Sequence, residues 1–357
     1  TTQPAKMALS NTTMTMITNF ATIFAVVFGC SFLQFPKKES QMLTMIEAMT
    51  CKYESKRKTE NFWLSWAVCW VTCFGLIIGL KMYEWFDASH YLIVCGGLSM
   101  PLLLQPFLFP GITGEQSVPL QHRHSLKANV WIAIFSFIGN WWYTHYFYSV
   151  LQASYSMPSI DVNAVPIAMF FATHFYFTLY HALASKVLRC VKCFYEPGFG
   201  RALYSSALVL AMAYSTAFTE SLTISAYPCY RFNNIHQAYT LGSAFYGIYF
   251  IVSYPLFASL DEPLEAINGQ TSQSKNQYRS SLSSASSSSS PSSTCMTHEN
   301  IHSLKSTILE VFGGSMMVLM LLDIVRVYLE IELVVPLQRP CKMDASLTCS
   351  PFTGQYC

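Results

Sequence analysis

An all-α, polytopic transmembrane helical bundle of seven spans, with an N-terminal run available as an eighth, is the fold class this sequence predicts. Of its 357 residues, 52% are hydrophobic and only 11% charged, whereas a soluble domain carries about a quarter charged residues. Apolar runs of about 20 residues, the length that crosses a bilayer, recur along the chain. Each run is continuously apolar rather than alternating, which marks helices and not the strands of a barrel.

The first run, 12–35, has neither a basic start nor a small-residue cleavage site after it. It reads either as a signal peptide or as an uncleaved anchor or extra span. Asn11-Thr12-Thr13 is a glycosylation sequon, usable only if that end reaches the lumen. Lys37, Lys38, Lys52, Lys56, Arg57 and Lys58 form a basic segment that closes an N-terminal region, 1–61. The first six bundle spans occupy 62–260, with runs at 62–80, 91–109, 128–150, 165–185, 203–226 and 238–259. An insert, 261–305, follows. Its stretch from Ser280 to Ser293 is nearly all serine and buries too little apolar surface to offset its ordering entropy, so disorder is expected. The last run, 306–329, lies within 306–338, and no role is assigned to the tail, 339–357.

Charge orients the bundle. The basic segment, the 110–127 loop with Arg123 and Lys127, and the 186–202 loop with Lys186, Arg189, Lys192 and Arg201 fall on one side. Glu84, Asp87, Asp161 and Arg231 fall on the other. By the positive-inside rule the first side, together with the serine-rich insert, is cytosolic. The net charge of +2 argues against a nucleic-acid partner, which requires a clustered basic face. Twelve cysteines are scattered without a disulfide framework or zinc spacing. Cys190-Val-Lys-Cys193 is one CxxC pair without a second.

Of the ionisable residues that interrupt the apolar runs, five are singled out: His145, His174, His181, Glu220 and Asp323, with Arg326 beside the last. Inside a membrane each is a functional-site hypothesis. Each also has a plainer reading. Asp323 and Arg326 share a helix face and suit an internal ion pair. His174 and His181 also share a face and suit inter-helix hydrogen bonds better than a metal. Glu220, with no opposite charge in its run, suits a neutral carboxyl bonded to a neighbouring helix. On the orientation above, His145, His174, Glu220 and Asp323 lie roughly 8–14 Å below the lumenal boundary at 1.5 Å per residue, and His181 lies deeper. Common depth follows from the sequence; facing direction does not. The stretch from Gly139 to Phe147, Gly-Asn-Trp-Trp-Tyr-Thr-His-Tyr-Phe, gathers rings that favour the interface. Its Asn140 and His145 are expected to turn inward, because polar groups facing lipid are expensive.

The wording GNWWYTHYFYSVLQASYSMPS, followed by VPIAMFFATHFYFTLYHALAS, TESLTISAYPCY, FYGIYFIVSYPLF and LLDIVRVYLE, resembles the cycloeucalenol cycloisomerases, the cyclopropyl sterol isomerases of plants and algae. The resemblance runs, with gaps, from Lys52 to Gln338. It implies opening of the 9β,19-cyclopropane ring of a sterol such as cycloeucalenol to the Δ8 sterol obtusifoliol, in sterol biosynthesis at the endoplasmic reticulum. Cyclopropane is a poor base, so a well-placed acid must protonate C19. Positive charge then develops at C9, and a base removes the C8 proton.

Glu220 is the expected acid, because a carboxyl in an apolar pocket is most stable uncharged. His145 or His174, as neutral imidazole, is the expected base. Asp323 has a counter-charge in Arg326, which suits a base or an electrostatic partner for the cation. Substrate contacts are expected from Trp141, Trp142, Tyr143, Tyr146, Asn140, Tyr180 and His181, with aromatic faces stabilising the cation. The chemistry calls for no metal, redox cofactor or nucleotide, and GxGxxG, P-loop and GxSxG motifs are absent from the sequence. The partners implied are the sterol, entering sideways from the bilayer, and membrane lipid. The alternatives are a sterol-binding or sterol-transporting protein without chemistry and a seven-span receptor. Accumulation of 9,19-cyclopropyl sterols in cells lacking the protein separates the isomerase from both.

Overall fold

Continuous apolar sequence with few breakers gives long helices. The computed structural model describes residues 3–43, 46, 54–225, 227–261 and 303–333, and of 3–12 the backbone alone. The serine tract, the tail and the Asn11 side chain lie outside the described residues.

In chain order the helices are α1 (Gln3–Ser31), α2 (Glu54–Gly79) and α3 (Ala88–Leu108). Next is α4, in which His124–Ile138, a π-helical turn Gly139–Tyr143 and Thr144–Ser149 run on as one helix. Then come α5 (Ile167–Phe194), α6 (Phe199–Ser225), α7 (Ile235–Ser259) and α8 (Leu304–Tyr328). All but α4 are long and apolar enough to cross a membrane. The N-terminal run is thus one of seven such helices among the described residues, with α1 packed along α6. The run at 128–150 forms α4, an inner helix whose Ser125, Lys127, Asn129, Ser136 and Asn140 are buried among its neighbours. Polar residues are tolerated there because they meet protein rather than lipid.

Several helices outrun their hydropathy. α2 starts at Glu54, so the boundary drawn at 61/62 falls inside it. α5 continues to Phe194, which makes Lys186, Arg189 and Lys192 helical rather than part of a loop. Backbone hydrogen bonding continues past the hydrocarbon layer wherever charged side chains find water or partners. Local signals set other ends. Asp87 caps α3 by accepting from His90 N at 2.9 Å, and Ser303 caps α8 by accepting from Ser306 N at 3.1 Å.

The basic connections meet at one end of the bundle. Pro36 bridges Tyr195, Arg189 pairs with Glu60, and Lys56 Nζ donates to the carbonyls of Ala258 (2.7 Å) and Leu260 (3.0 Å) at the close of α7. Lys127, fully buried, reaches Asp261 Oδ1 at 2.5 Å, and His124 Nδ1 lies 2.8 Å from Asp261 Oδ2. Burial opposes charge on Asp261, but the hydrogen bond and charge of His124 and the Lys127 ammonium hold its carboxyl well below the usual carboxylate range.

At the opposite end two short antiparallel pairs close the connections: β1 (Ala153–Tyr155) with β4 (Tyr230–Phe232), and β2 (Asp161–Val162) with β3 (Val165–Pro166). Asn163 and Ala164, at φ 54° and 62°, form the two-residue turn of the second pair, the geometry that matches hairpin twist. Between the two ends, Ala213, Ala217 and Ser221 line one buried face of α6. Small residues four apart let helices approach closely in a membrane, and Gly247 of α7 meets Ala213 along this stripe.

Candidate active site

The π-helical turn of α4 decides what faces inward. A π turn widens the helix by one residue and leaves carbonyls without their usual partners. Side chains satisfy them here. Asn140 Nδ2 donates to Ser136 O at 2.9 Å and to Thr173 Oγ1 at 3.0 Å, and Thr144 Oγ1 donates to Asn140 O at 2.8 Å. The turn thereby aims Gly139, Asn140, Tyr143, Thr144, Tyr146 and Phe147 at one partly open cavity.

Across the cavity α6 presents Glu220, Ser221 and Ile224. Ser221 continues the small-residue stripe, so the close α6–α7 contact fixes Glu220 at its flank. Tyr246 Oη of α7 lies 3.0 Å from both carboxyl oxygens of Glu220, and Tyr180 approaches the same carboxyl. Ser221 Oγ is buried without a hydrogen-bond partner. No lysine, arginine or histidine is among the described residues lining the cavity.

The remaining wall is aromatic. Tyr143 stacks on Tyr249 at 4.7 Å, Tyr146 tilts against Phe245 at 5.4 Å, and Tyr246 meets Tyr249 edge-on at 4.8 Å. Hydrogen bonds fix these rings: Tyr143 Oη donates to Ser315 O of α8 at 2.7 Å, and Tyr249 Oη to Tyr143 O at 3.2 Å. The β1–β4 ribbon covers one end with Tyr155 and Tyr230, Phe147 stacking on Tyr155 at 5.2 Å. Burial pushes both of these phenols well above their ordinary range, so they are uncharged at neutral pH.

Of the residues singled out from sequence, Glu220, Asn140, Tyr143 and Tyr146 line this one cavity, and Tyr180 stands behind Glu220. Asp323 does not line it but is tied to it, because Tyr146 Oη donates to Asp323 Oδ1 at 3.2 Å. The structure does not bring the others there. Trp141 stacks on Phe137 at 5.8 Å, and Trp142 is exposed. His145 is half-buried with Nδ1 unpartnered, and His174 Nε2 lies 3.3 Å from Asn129 Oδ1. His181 is packed among Trp131, Tyr254 and Phe257, its Nδ1 2.8 Å from Phe177 O and its Nε2 3.0 Å from Ser253 Oγ.

Sequence reasoning missed Tyr246, Tyr249 and Phe245 of α7, Thr173 and Phe177 of α5, and the ribbon tyrosines. The signal for the α7 set was their three- and four-residue spacing within FYGIYFIVSYPLF, which also describes ordinary helix packing.

Chemically, the cavity can offer an apolar molecule one carboxyl proton and surround a transient cation with ring faces. The sequence matches cycloeucalenol cycloisomerase of Arabidopsis thaliana, at 37% identity over 211 residues that span 58% of this chain and 75% of that protein. No family model matches the sequence, and no solved structure matches the chain.

Proposed function

The chain belongs to the cycloeucalenol cycloisomerase family, and from that membership we propose that it opens the 9β,19-cyclopropane ring of a sterol to give the Δ8 sterol. The observation that carries the mechanism is Glu220, a carboxyl on the wall of an aromatic cavity whose described lining holds no basic side chain. Glu220 gives its proton to C19, and the C9–C19 bonding pair takes it up, leaving the cation at C9. The faces of Tyr143, Tyr249, Phe245 and Tyr246 stabilise that charge, since each ring face is negative. Loss of the C8 proton then forms the C8=C9 double bond, so one proton enters and one leaves.

The exposed apolar helices suit a substrate that arrives through the bilayer, and the endoplasmic reticulum membrane is the location proposed for the reaction. Glu220 acts as the acid because no neighbouring cation competes for its negative form. The test is purified protein in detergent with cycloeucalenol alone, scored for Δ8 product. Turnover supports the reading. Binding of sterol without ring opening contradicts it and leaves a sterol-binding protein.

A further inference from the structure

Among its described lining residues the cavity has a candidate acid but no histidine to take the C8 proton. One path leads out of it. Tyr146 lines the cavity, is itself buried, and points its hydroxyl at Asp323 Oδ1, 3.2 Å away on α8. Asp323 is held in turn by Arg326 Nε at 2.9 Å, and its side chain is 57% exposed. Phenol, carboxylate and guanidinium thus form a chain from the cavity wall to the bundle surface.

We propose that Tyr146 is the catalytic base of ring opening and Asp323 its positioning residue, a proposal that rests on the isomerase reading above. The C8–H bond breaks and its electrons form C8=C9. The proton passes to Tyr146 Oη while the hydroxyl's own proton moves to Asp323 Oδ1. Tyr146 therefore never carries a net charge. Glu220 is left as carboxylate and Asp323 as acid. Asp323 releases its proton to water at the surface, and Glu220 regains one from water, so the cycle closes without a further reactant. A C–H beside a carbocation is strongly acidic, so a neutral phenol suffices once its proton has somewhere to go. Arg326 keeps the carboxylate turned toward Tyr146 rather than away into the interface.

The test uses the full chain with a sterol carrying deuterium at C8. Protonation of the poorly basic cyclopropane is expected to limit the unaltered protein, so C8 deuterium should leave its rate unchanged. Tyr146→Phe keeps the ring against Phe245 but removes the acceptor. Turnover is expected to fall by about 10²-fold, within the usual range for a positioned acid or base, with sterol binding retained and a primary isotope effect appearing. Asp323→Asn reads the same path from its exposed end, where loss of folding is least expected. Asp323→Glu should retain more turnover than Asp323→Asn, and the double variant should be no slower than Tyr146→Phe alone, because the two residues share one path. Turnover near that of the unaltered protein in Tyr146→Phe and Asp323→Asn overturns the proposal. So does a loss of rate with no isotope effect, which marks a structural role. Failure of the unaltered protein to open the ring overturns the isomerase reading and the relay with it.

Discussion

Replacing Glu220 by glutamine removes one property, the acidic proton, and keeps almost everything else. Tyr246 Oη lies 3.0 Å from both carboxyl oxygens. In Glu220→Gln one of those atoms becomes an amide nitrogen that donates to the phenol oxygen, while the other still accepts. The contact survives, and stability should change by no more than about 1 kcal/mol, the net worth of one neutral hydrogen bond. Cavity shape is unchanged, so sterol binding should be retained. What disappears is positioned proton transfer, worth about 10²–10⁴-fold. At about 1.36 kcal/mol per decade this is roughly 2.7–5.4 kcal/mol of transition-state stabilisation. The assay is single-turnover formation of Δ8 sterol, followed by chromatography and mass spectrometry, beside a melting curve of the same preparation. Near-normal turnover by well-folded Glu220→Gln would falsify the assignment and make Glu220 a structural carboxyl.

Further outcomes concern the frame around the site. Asp261→Asn removes the carboxylate that the fully buried Lys127 ammonium reaches, and loss of one partner of a buried pair costs about 3–5 kcal/mol; an unchanged melting temperature would sink that account. Because the Asp261 carboxyl is held below its ordinary range when folded, its contribution is present above the unfolded pKa of about 3.9 and is lost as pH falls further toward the depressed folded value. The melting temperature of the unaltered protein should therefore drop over that acid range more steeply than that of Asp261→Asn. Trp142→Leu, at an exposed ring outside the cavity lining, should lower folded yield while leaving turnover per folded molecule intact, and loss of turnover at full yield would place that ring in the chemistry.

The helices were legible because hydrocarbon-length apolar runs have few structural solutions in a bilayer. Their ends were not, since hydropathy reports the thickness of the apolar layer and not where backbone hydrogen bonding stops. Glu54 and Lys192 are helical for that reason. Ionisable residues inside apolar runs were also legible, which is why Glu220 and Asp323 were singled out, while Tyr146 entered with the aromatic stretch Gly139 to Phe147. Facing direction was not.

Trp141 and His145, four apart, share a face in a regular α-helix, but the π turn Gly139–Tyr143 shifts that register. It brings Asn140, Tyr143, Tyr146 and Phe147 to the cavity instead. Nothing in local composition announces a π turn; its carbonyls are satisfied by Asn140 and Thr144, and Thr173 comes from a distant helix. Tyr246 escaped notice because an aromatic at helical spacing usually packs a core. Its role depends on Glu220, which reaches it only through the close α6–α7 contact.

The most direct test of the central claim is to run the purified, full-length protein on cycloeucalenol in deuterated water and locate the label in the product. Proton delivery from an exchangeable Glu220 carboxyl predicts Δ8 sterol carrying a single deuterium, in the C19 methyl group. Absence of Δ8 product, or Δ8 product without deuterium at C19, contradicts it.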